Sequence, residues 1–549
     1  MPTITFNLKA LESLTGKKLS SKLLSEKVPF LGTPIEEMDS KEMMIEVPPN
    51  RPDLLSLPGF ARAFASFLGV KKGLKKYVAK KSSYKVVIDD KVSKVRPFTV
   101  CAVVKGLSFT DEKIKEIIDM QEKLHVTYGR NRKKMALGIY PLEMIRFPIA
   151  YTAKKPEEIK FVPLDFDKKL DARQILSLHP TGQKYGHLLE DKKVFPVFLD
   201  SKNQVLSVPP IINSNNVGKI SNKTRDVFIE CSGFDFEYLS MALNMVVTAL
   251  ADMGGQIYET SLVYKNKKTK TPNLNPWSIN VDPKYVEKIL GKKLSHAQIK
   301  ECLAKMGIGF ESGKALIPCY RADILHQIDL VEDIAIAYGY ENIEEVIPRI
   351  GCTGKENEFH IFRNHLRNIL IGAGIMEIKN FVLSSKEVQN NRVNDNQKLV
   401  EVDTSFSEEY SVLRRHLLSG ILEVLSRNKH REYPQNIFEI GKIFQAKKEI
   451  FEKERLAVAI CSSDADFTRI KQILDRIIKE FGLKYETIER NKADYPSFTM
   501  GRVGTIIVNG TRVAHIGEVS PAVLENFDLE MPVAYLELNV EKLYYEVQK

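Results

Sequence analysis

Four acidic residues in the second half of the chain have the types and spacing of a cation site. Asp329, Glu332 and Asp333 lie at i, i+3 and i+4 of a stretch with helical periodicity, so they share one face. Like charges at this spacing cost roughly a few tenths of a kcal/mol per pair. A hard cation, a basic partner or hydration must offset that cost. Residue types alone favour a solvated acidic face. Asp323 is predicted to cap this helix, because its carboxylate can accept from free backbone N–H groups.

A second set of polar side chains brackets predicted strand ends between residues 95 and 265. Asn213 and Ser232 would supply small hydrogen-bonding groups there. Polar groups placed in this way are typical of a binding cleft. Turn chemistry is the alternative interpretation, because Asn, Ser and Gly are common in loops.

An internal repeat helps to separate scaffold from site in the acidic stretch. Residues 318–339 align without gaps to residues 48–69, at a constant offset of 270 (318 − 48). Such repeats indicate a shared scaffold. Asp occurs at both 53 and 323, as expected of a structural cap. In the first copy, the positions of the three helix acids hold Gly59, Arg62 and Ala63. The comparison therefore predicts that the scaffold does not need these acids, which favours a functional role for them.

The length, composition and motif content of the chain exclude several classes of protein. A chain of 549 residues is too long for one core. The sequence has no membrane-spanning apolar run and no signal peptide. Its six cysteines form no CxxC pair, and this pattern argues against a zinc site and for a reducing, cytoplasmic setting. The net charge of +11 permits an anionic partner such as nucleic acid. No GxxxxGK[ST], HExxH or GxSxG motif is present, which disfavours a P-loop NTPase, a zincin and an α/β-hydrolase.

Hydrophobic periodicity and turn signals predict an α+β, multidomain chain with two repeated small helical units. The predicted segments are a first repeat unit (1–75), a Lys-rich linker (76–94), an α/β domain (95–265), a second repeat unit with the acidic helix (272–348) and a last unit with a mainly antiparallel sheet (355–549). Strands are predicted at Phe98–Lys105, Lys134–Ile139, Val194–Leu199, Val227–Cys231, Gly374–Leu383, Lys398–Val402, Gln435–Phe444, Arg502–Val508 and Val533–Leu538. Helices are predicted at Leu239–Met253, Phe359–Ala373, Leu413–Asn428 and Phe467–Phe481, and from the capping box at Ser295 to Met306.

Four blocks of residues, taken in order, resemble the family of phenylalanyl-tRNA synthetase beta subunits in its archaeal form. The blocks are Pro49–Asp53, the editing-type segments Pro209–Ser214 and Asp226–Glu230, the helix Arg321–Tyr340, and the strand Phe438–Phe444. The resemblance covers nearly the whole chain.

The resemblance implies an α2β2 tetramer that joins phenylalanine to tRNA(Phe) with ATP and Mg²⁺. In this family the alpha subunit carries the aminoacylation site, so no catalytic residue for aminoacylation is expected in this chain. Residues 95–265 would be an editing domain that hydrolyses tyrosine mischarged on the tRNA. Residues 355–549 would be a non-catalytic, class II synthetase-like module. A free-standing tRNA-binding or trans-editing hydrolase is the alternative function.

The resemblance also assigns residues to sites. The implied Mg²⁺ ligands are Asp323, Asp329, Glu332 and Asp333, and the implied editing residues are Arg132, Ser207, Asn213, Glu230 and Ser232. Carboxylate oxygens suit Mg²⁺, which keeps several waters and needs few protein ligands. Phe234 departs from the family pattern, which usually has a smaller residue there. The larger Phe234 side chain would either lie near the pocket and alter tyrosine discrimination, or point into the core.

Overall fold

A computed structural model describes residues 2–446, 449–489 and 495–549 of the chain. The chain divides into two compact units, Met1–Ile347 and Pro348–Lys549. Met1 in the predicted first domain and residues 447–448 and 490–494 in the predicted last domain lie outside the described residues.

The first repeat copy opens the first unit with three strands and three helices. These are β1 (Thr3–Asn7), α1 (Leu8–Thr15), α2 (Ser21–Lys27), β2 (Ile35–Met38), β3 (Glu42–Glu46) and α3 (Leu57–Phe67). The strands form an antiparallel sheet in the order β1-β3-β2. Ser56 caps α3, because its side chain accepts from the Gly59 N–H. Asp53 is therefore not the cap of this helix.

A ten-stranded mixed sheet forms the middle of the first unit. Its strands, with the small β8–β9 pair, are β4 (Lys85–Ile88), β5 (Phe98–Lys105), β6 (Met135–Pro141), β7 (Ile149–Lys154), β8 (Lys160–Phe161), β9 (Leu170–Asp171), β10 (Phe195–Leu199), β11 (Val205–Val208), β12 (Ile212–Asn213), β13 (Val227–Gly233), β14 (Gln256–Val263) and β15 (Lys268–Thr271). The helices are α4 (Asp111–Val126), α5 (Ala172–Leu178), α6 (Pro180–Tyr185) and α7 (Phe236–Asp252). The sheet order is β12-β11-β10-β7-β4-β14-β5-β13-β6, with β15 beside β14.

The structure refines several of the sequence predictions for this region. The segment 76–94, predicted as a linker, contains the strand β4, which pairs with β7 and β14. The strand β5 has the predicted bounds. The helix α7 begins three residues before the predicted start, because the Asp235 side chain accepts from the Tyr238 N–H and caps it.

The second repeat copy has the same topology as the first. Its elements are β16 (Trp277–Asn280), α8 (Pro283–Leu290), α9 (His296–Lys305), β17 (Gly309–Glu311), β18 (Lys314–Ile317) and α10 (Gln327–Tyr338). The sheet order β16-β18-β17 repeats β1-β3-β2. The prediction of two helical units was therefore wrong, since each copy is a three-stranded sheet covered by helices. The capping box of Ser295 and Gln298 at the start of α9 is confirmed.

The second unit is built on a seven-stranded sheet that is antiparallel except at one edge. The strands of this unit are β19 (Met376–Glu377), β20 (Leu383–Ser384), β21 (Val400–Glu401), β22 (Val412–Leu413), β23 (Gln435–Ala446), β24 (Ile450–Cys461), β25 (Glu486–Glu489), β26 (Phe498–Val508), β27 (Thr511–Val519) and β28 (Val533–Asn539). The helices are α11 (Glu358–Gly372), α12 (Leu418–Arg427), α13 (Phe467–Glu480), α14 (Pro521–Asn526) and α15 (Val540–Gln548). The sheet order is β19-β23-β24-β28-β27-β26-β25.

Apolar side chains cover both faces of this sheet. One core packs α11, α13 and α15 on one face, and a second core packs α12 and α14 on the other. The predicted helix 413–428 begins only at Leu418, because residues 412–413 form β22 in a small sheet with β20 and β21. The predicted strand 374–383 is reduced to the short strands β19 and β20.

In the part of the chain that the structure describes, every helix is too short or too polar to cross a membrane.

Candidate functional site

A cavity of about 340 Å³ lies in the large-sheet region of the first unit. The end of α4 and the turn after it, α6, and the strands β6, β11, β12 and β13 form its walls. Four of the five predicted editing residues line it, namely Arg132, Ser207, Asn213 and Glu230. These residues are up to 98 positions apart in the sequence (230 − 132), and the sheet brings them together.

Glu230 is the most perturbed acid of this cavity. It lies on β13, only 2% of the residue is exposed, and burial raises the pKa of its carboxyl to about 8. Arg96, Tyr140 and Ser207 offset only part of that effect. Glu230 is therefore protonated at neutral pH, and its carboxyl can donate a hydrogen bond. A buried acid with a shifted pKa in a cleft indicates a functional site.

Tyr140 connects Glu230 to Asn213. Its hydroxyl lies 3.2 Å from Asn213 Oδ1 and 3.2 Å from Glu230 Oε1. Because Tyr140 lies on β6, next to β13, the sheet register fixes its position beside Glu230. This contact leaves Glu230 Oε2 without a hydrogen-bond partner among the described residues.

Arg132, also in the lining of this cavity, is held by a fixed set of acceptors. Its Nη1 donates to the carbonyl of Ile211 at 2.8 Å, and its Nη2 donates to Glu122 Oε1 at 2.7 Å. The guanidinium also lies 4.4 Å from the centre of the Tyr185 ring. Its backbone has φ +62°, a left-handed conformation that is uncommon for a non-glycine residue. Arg132 is thus positioned from both ends.

His125 completes this arrangement from α4. Its Nε2 accepts from the Leu137 N–H at 2.8 Å, so Nδ1 carries the proton and donates to Glu122 Oε1 at 3.1 Å. Burial lowers the pKa of His125, so the ring is neutral at pH 7. Burial by itself raises the pKa of Glu122, but His125 and Arg132 outweigh it, and the net pKa is about 2. At neutral pH Glu122 is thus an ionised carboxylate, whereas Glu230 is a protonated carboxyl.

Buried polar atoms without partners are concentrated at this cavity. Among the described residues, four such atoms belong to its lining: Arg132 Nε, Tyr185 Oη, Ser207 Oγ and Glu230 Oε2. A buried polar atom without a hydrogen bond costs roughly 1 to 3 kcal/mol, so such atoms are rare unless a ligand or water completes them. The arrangement is suited to a small, partly polar ligand that offers both donors and acceptors.

Ser232 and Phe234 do not line this cavity. The Ser232 hydroxyl is fully buried and accepts from Arg96 Nε at 3.1 Å. Phe234 is 54% exposed, so it does not point into the core; its ring lies 5.4 Å from the Arg96 guanidinium, at a different cavity. The expectation that a bulky Phe234 side chain lies near the pocket therefore does not hold for the cavity that contains Glu230.

Sequence reasoning missed Glu122, His125, Tyr140 and Tyr185. A signal for the first two was available, since Glu122 and His125 are three residues apart on one helix and can interact. No local pattern linked Tyr140 or Tyr185 to the segment around Asn213.

The acidic stretch of the second repeat copy is held by an arginine. Arg321 Nε and Nη2 donate to the two oxygens of Asp323 at 2.8 and 2.7 Å, and Nη2 also donates to Asp333 Oδ2 at 2.9 Å. The first copy has the same fork, in which Arg51 Nε and Nη2 donate to Asp53 at 2.9 Å each. Asp323 therefore pairs with an arginine and does not cap α10, whose cap is His326.

The other two predicted metal ligands differ in their surroundings. Asp329 Oδ2 accepts from the N–H groups of Leu325 at 2.8 Å and His326 at 2.7 Å, which completes a capping box at the start of α10. Glu332 is exposed. Ile328 on the same helix is also exposed. Asp329 and Asp333 thus have structural contacts in the second copy that the first copy does not need.

The donor set does not fit a Mg²⁺ site in this arrangement. Arg321 neutralises two of the four carboxylates, and backbone N–H groups bind the third. Within residues 2–446, 449–489 and 495–549, no group of three or more His, Cys, Asp or Glu side chains is arranged to hold a metal ion.

Burial opposes the ionisation of both acids that contact Arg321. Arg321 and Arg51 outweigh burial at Asp323, so the pKa of Asp323 falls, whereas burial prevails at Asp333 and the pKa of Asp333 rises.

Two family profiles match the chain. Residues 343–540 match the profile described as phenylalanyl tRNA synthetase beta chain CLM domain, and residues 279–340 match the tRNA synthetase B5 domain. The second match covers nearly all of the second repeat copy.

The chain is similar to curated proteins over most of its length. It is 41% identical over 519 residues to the phenylalanine–tRNA ligase beta subunit of Thermococcus onnurineus, covering 90% of each chain. It is 38% identical over 564 residues to that of Pyrococcus abyssi, covering 99% of this chain and 100% of the relative. It is 39% identical over 552 residues to that of Archaeoglobus fulgidus, covering 99% of each.

A solved structure also matches. The N-terminal fragment of the phenylalanyl-tRNA synthetase beta subunit from Pyrococcus horikoshii is 38% identical, with a TM-score of 0.59. The match covers 62% of this chain and 100% of the fragment.

Proposed function

Since the chain belongs to the family of phenylalanine–tRNA ligase beta subunits, we propose that it assembles with an alpha subunit to attach phenylalanine to its tRNA. The alpha subunit would carry out the ATP-dependent aminoacylation in an α2β2 tetramer in the cytoplasm. The cavity around Glu230 would hydrolyse tyrosine that has been attached to the same tRNA by mistake. The six cysteines are all free, consistent with a reducing compartment.

The observation that carries the editing proposal is the set of four unpartnered buried polar atoms in one cavity. A cavity of about 340 Å³ is at the small end of ligand pockets, which suits an amino-acid side chain. A site that pairs a substrate hydroxyl strongly rejects the analogue without it, because its own polar groups are then left unpaired. The protonated Glu230 carboxyl would pair with the tyrosine phenol in this way and so exclude phenylalanine.

The chemistry that the site must support is hydrolysis of an ester. Water attacks the carbonyl carbon of the tyrosyl ester, the bond to the ribose oxygen breaks, and tyrosine and free tRNA are released. Asn213 and Ser207 would orient the aminoacyl group by hydrogen bonds, and Arg132, fixed by Glu122 and by the Ile211 carbonyl, would hold its part of the cavity wall in place.

A group of exposed apolar side chains in the second unit supports an obligate protein partner. Around the small sheet of β20, β21 and β22, the exposed residues are Phe381, Val382, Leu383, Val402 and Tyr410. The rings of Phe381 and Tyr410 lie 6.4 Å apart. Grouped apolar residues on a surface mark interaction sites. This observation favours a subunit over a free-standing hydrolase.

The test uses the full chain co-expressed with its alpha subunit, with two assays. Asn213→Ala should slow deacylation of Tyr-tRNA(Phe) about ten-fold or more and leave charging with phenylalanine unchanged. Asn215→Ala is the matched control, because Asn215 lies two residues further on and does not line the cavity. Equal loss of both activities in Asn213→Ala would contradict an editing role.

Aminoacylation and Mg²⁺ need separate tests. Phenylalanine-dependent ATP–pyrophosphate exchange by this chain alone would overturn the assignment of aminoacylation to the alpha subunit. The resemblance implies a Mg²⁺ site at the acidic stretch, whereas the contacts of these acids do not fit one, and a measurement of Mg²⁺ binding to this stretch decides between the two.

A further inference from the structure

The second unit contains a cavity that the proposed editing and aminoacylation roles do not use. Its volume is about 520 Å³, and it lies on the sheet face that also packs α12 and α14. Strands β23, β24, β27 and β28 form its floor. The charged and titratable residues that line it are Arg415, His416, Lys453, Arg455, Arg512, His515, Glu537 and Lys542.

Positive charge dominates this cavity. Among the described residues that line it, five are Arg or Lys and one, Glu537, is acidic. Glu537 Oε2 already accepts from the Tyr535 hydroxyl at 2.6 Å and from the Leu417 N–H at 3.2 Å. Arg455 Nε lies 3.9 Å from the other oxygen, too far for a hydrogen bond, and has no hydrogen-bond partner among the described residues. One carboxylate thus faces five cations.

His515 adds no positive charge to the cavity, and the cations that line it repel one another. Burial lowers the pKa of His515 to about 4, so His515 is neutral at pH 7. Burial also lowers the pKa of Lys542, and repulsion from Arg455, Lys453 and Arg512 lowers it further. Like charges held together in this way destabilise the empty cavity, and an anion that binds there relieves the repulsion.

Rigid strands hold the cationic side chains. Arg455 on β24 pairs with Asn539 on β28, and Lys453, two residues earlier and on the same face, pairs with Ile443 on β23. Long antiparallel strands fix the spacing of these groups before any ligand arrives. Such preorganisation lowers the entropic cost of binding.

We propose that this cavity binds a small phosphate-bearing anion of about the size of a nucleotide. Guanidinium groups match phosphate oxygens through paired N–H donors, and three of the five cations are arginines. Several negative charges are needed to balance the excess, which favours a polyphosphate group over a single carboxylate. The volume lies within the range of small-ligand pockets. The stacked rings of Tyr495 and His515, with centroids 5.0 Å apart, provide a flat wall beside the cations. This inference does not depend on the editing proposal.

The test is isothermal titration of the full-length chain in two arms, with inorganic pyrophosphate and with ATP, in magnesium-free buffer at constant ionic strength. Lys453→Gln and Arg415→Gln are the informative variants, because neither side chain makes an ion pair among the described residues and both should fold. Each should weaken binding about ten-fold, the order expected for one hydrogen bond to a charged group. The charge-preserving variant Lys453→Arg should retain binding.

Lys484→Gln serves as the matched control, because Lys484 is an exposed lysine of the same unit and does not line the cavity. Equal affinity for pyrophosphate and ATP would show that the phosphates alone are recognised. Tighter binding of ATP would show that the nucleoside is recognised as well. The proposal is overturned if neither anion binds at millimolar concentration, or if Lys453→Gln binds like Lys484→Gln.

Discussion

Arg321 Nη2 donates to Asp333 Oδ2 over 2.9 Å, and both side chains are almost completely buried. The two residues are twelve positions apart, and Asp333 occupies a position that holds Ala63 in the first repeat copy. The second copy therefore adds a buried acid to the Arg–Asp fork that both copies share. In the structure, the cation that contacts this acid is the guanidinium of Arg321.

Removing Asp333 should destabilise the first unit strongly. Asp333→Ala leaves the buried Arg321 without one of its acceptors, and breaking a buried ion pair costs roughly 3 to 5 kcal/mol. Glu332→Ala, one position away but exposed, should change the free energy of unfolding by less than about 0.5 kcal/mol. Urea denaturation of both variants measures the difference. Similar values for both would show that the pair contributes little.

Mg²⁺ should leave the stability of the wild-type chain unchanged. A ligand that binds only the folded state stabilises it by mass action, so an occupied site raises the Tm as the ion is added. Because Arg321 and backbone N–H groups engage three of the four acids, we expect neither added Mg²⁺ nor a chelator to shift the Tm. An upward shift that Asp329→Ala abolishes would instead establish a metal site at these acids.

Replacing Glu230 by glutamine should stabilise the protein at neutral pH. The pKa of Glu230 is about 8 in the folded state and about 4.3 in an unfolded chain. A carboxyl whose pKa is raised in the folded state stabilises the fold at a pH below its pKa in the unfolded chain. This stabilisation is lost as the pH rises through the folded-state pKa of about 8. The free energy of unfolding of the wild type is thus lower by about 3 kcal/mol at pH 7 than at pH 4, and Glu230→Gln does not show this decrease.

Unfolding free energies at pH 5 and pH 7.5 test this prediction. The advantage of Glu230→Gln over the wild type should grow between these values, because the unfolded wild type gains stability by ionising. A difference that stays constant with pH would show that Glu230 ionises in the folded protein at an ordinary pKa.

Deacylation of Tyr-tRNA(Phe) should fall as pH rises through about 8. The reason is that the protonated Glu230 carboxyl is the form that can donate to the tyrosine phenol. Glu230→Gln keeps a donor that does not titrate, so its residual rate should not show this fall. Rate measurements between pH 6 and pH 9 with both proteins decide the question, and an identical fall in Glu230→Gln would assign the titration to another group.

Replacing Ser207 and Ser232, both predicted from the sequence as editing residues, should have different effects. Ser207→Ala removes an unpartnered hydroxyl from the cavity and should slow deacylation about ten-fold. Ser232→Ala removes an acceptor from Arg96 and should lower the free energy of unfolding by about 1 kcal/mol, with little change in the deacylation rate. Deacylation and urea denaturation of both variants check this contrast. The opposite result would place the site at the Arg96 cavity.

Arg132→Lys should slow deacylation about ten-fold or more, with charging of phenylalanine unchanged. A lysine cannot contact the Ile211 carbonyl and Glu122 with a planar fork, so this part of the cavity wall loses its position. Because Glu122 acts through Arg132, Glu122→Gln should add little to Arg132→Lys in a double-mutant cycle. Additive effects would indicate that Glu122 contacts the substrate itself.

The local parts of the fold were predictable from the sequence. The repeat at an offset of 270 residues anticipated two copies of one scaffold, and the capping box at Ser295 and Gln298 marked the start of α9. Such features depend on residues a few positions apart, which meet in any chain of that sequence. The short strands β19 to β22 were misjudged, because their pairing partners are distant and their own periodicity is weak.

The sequence by itself indicated the family, the repeat, and four of the residues that line the editing-type cavity. The tertiary structure decided what those residues do. It placed Ser232 outside the cavity, brought His125 to the cavity, and brought the Tyr140 hydroxyl to Glu230 and Asn213. It also raised the pKa of Glu230 and paired Asp333 with Arg321. A pKa depends on desolvation and on the charges nearby, and both are set by segments that meet only when the chain has folded.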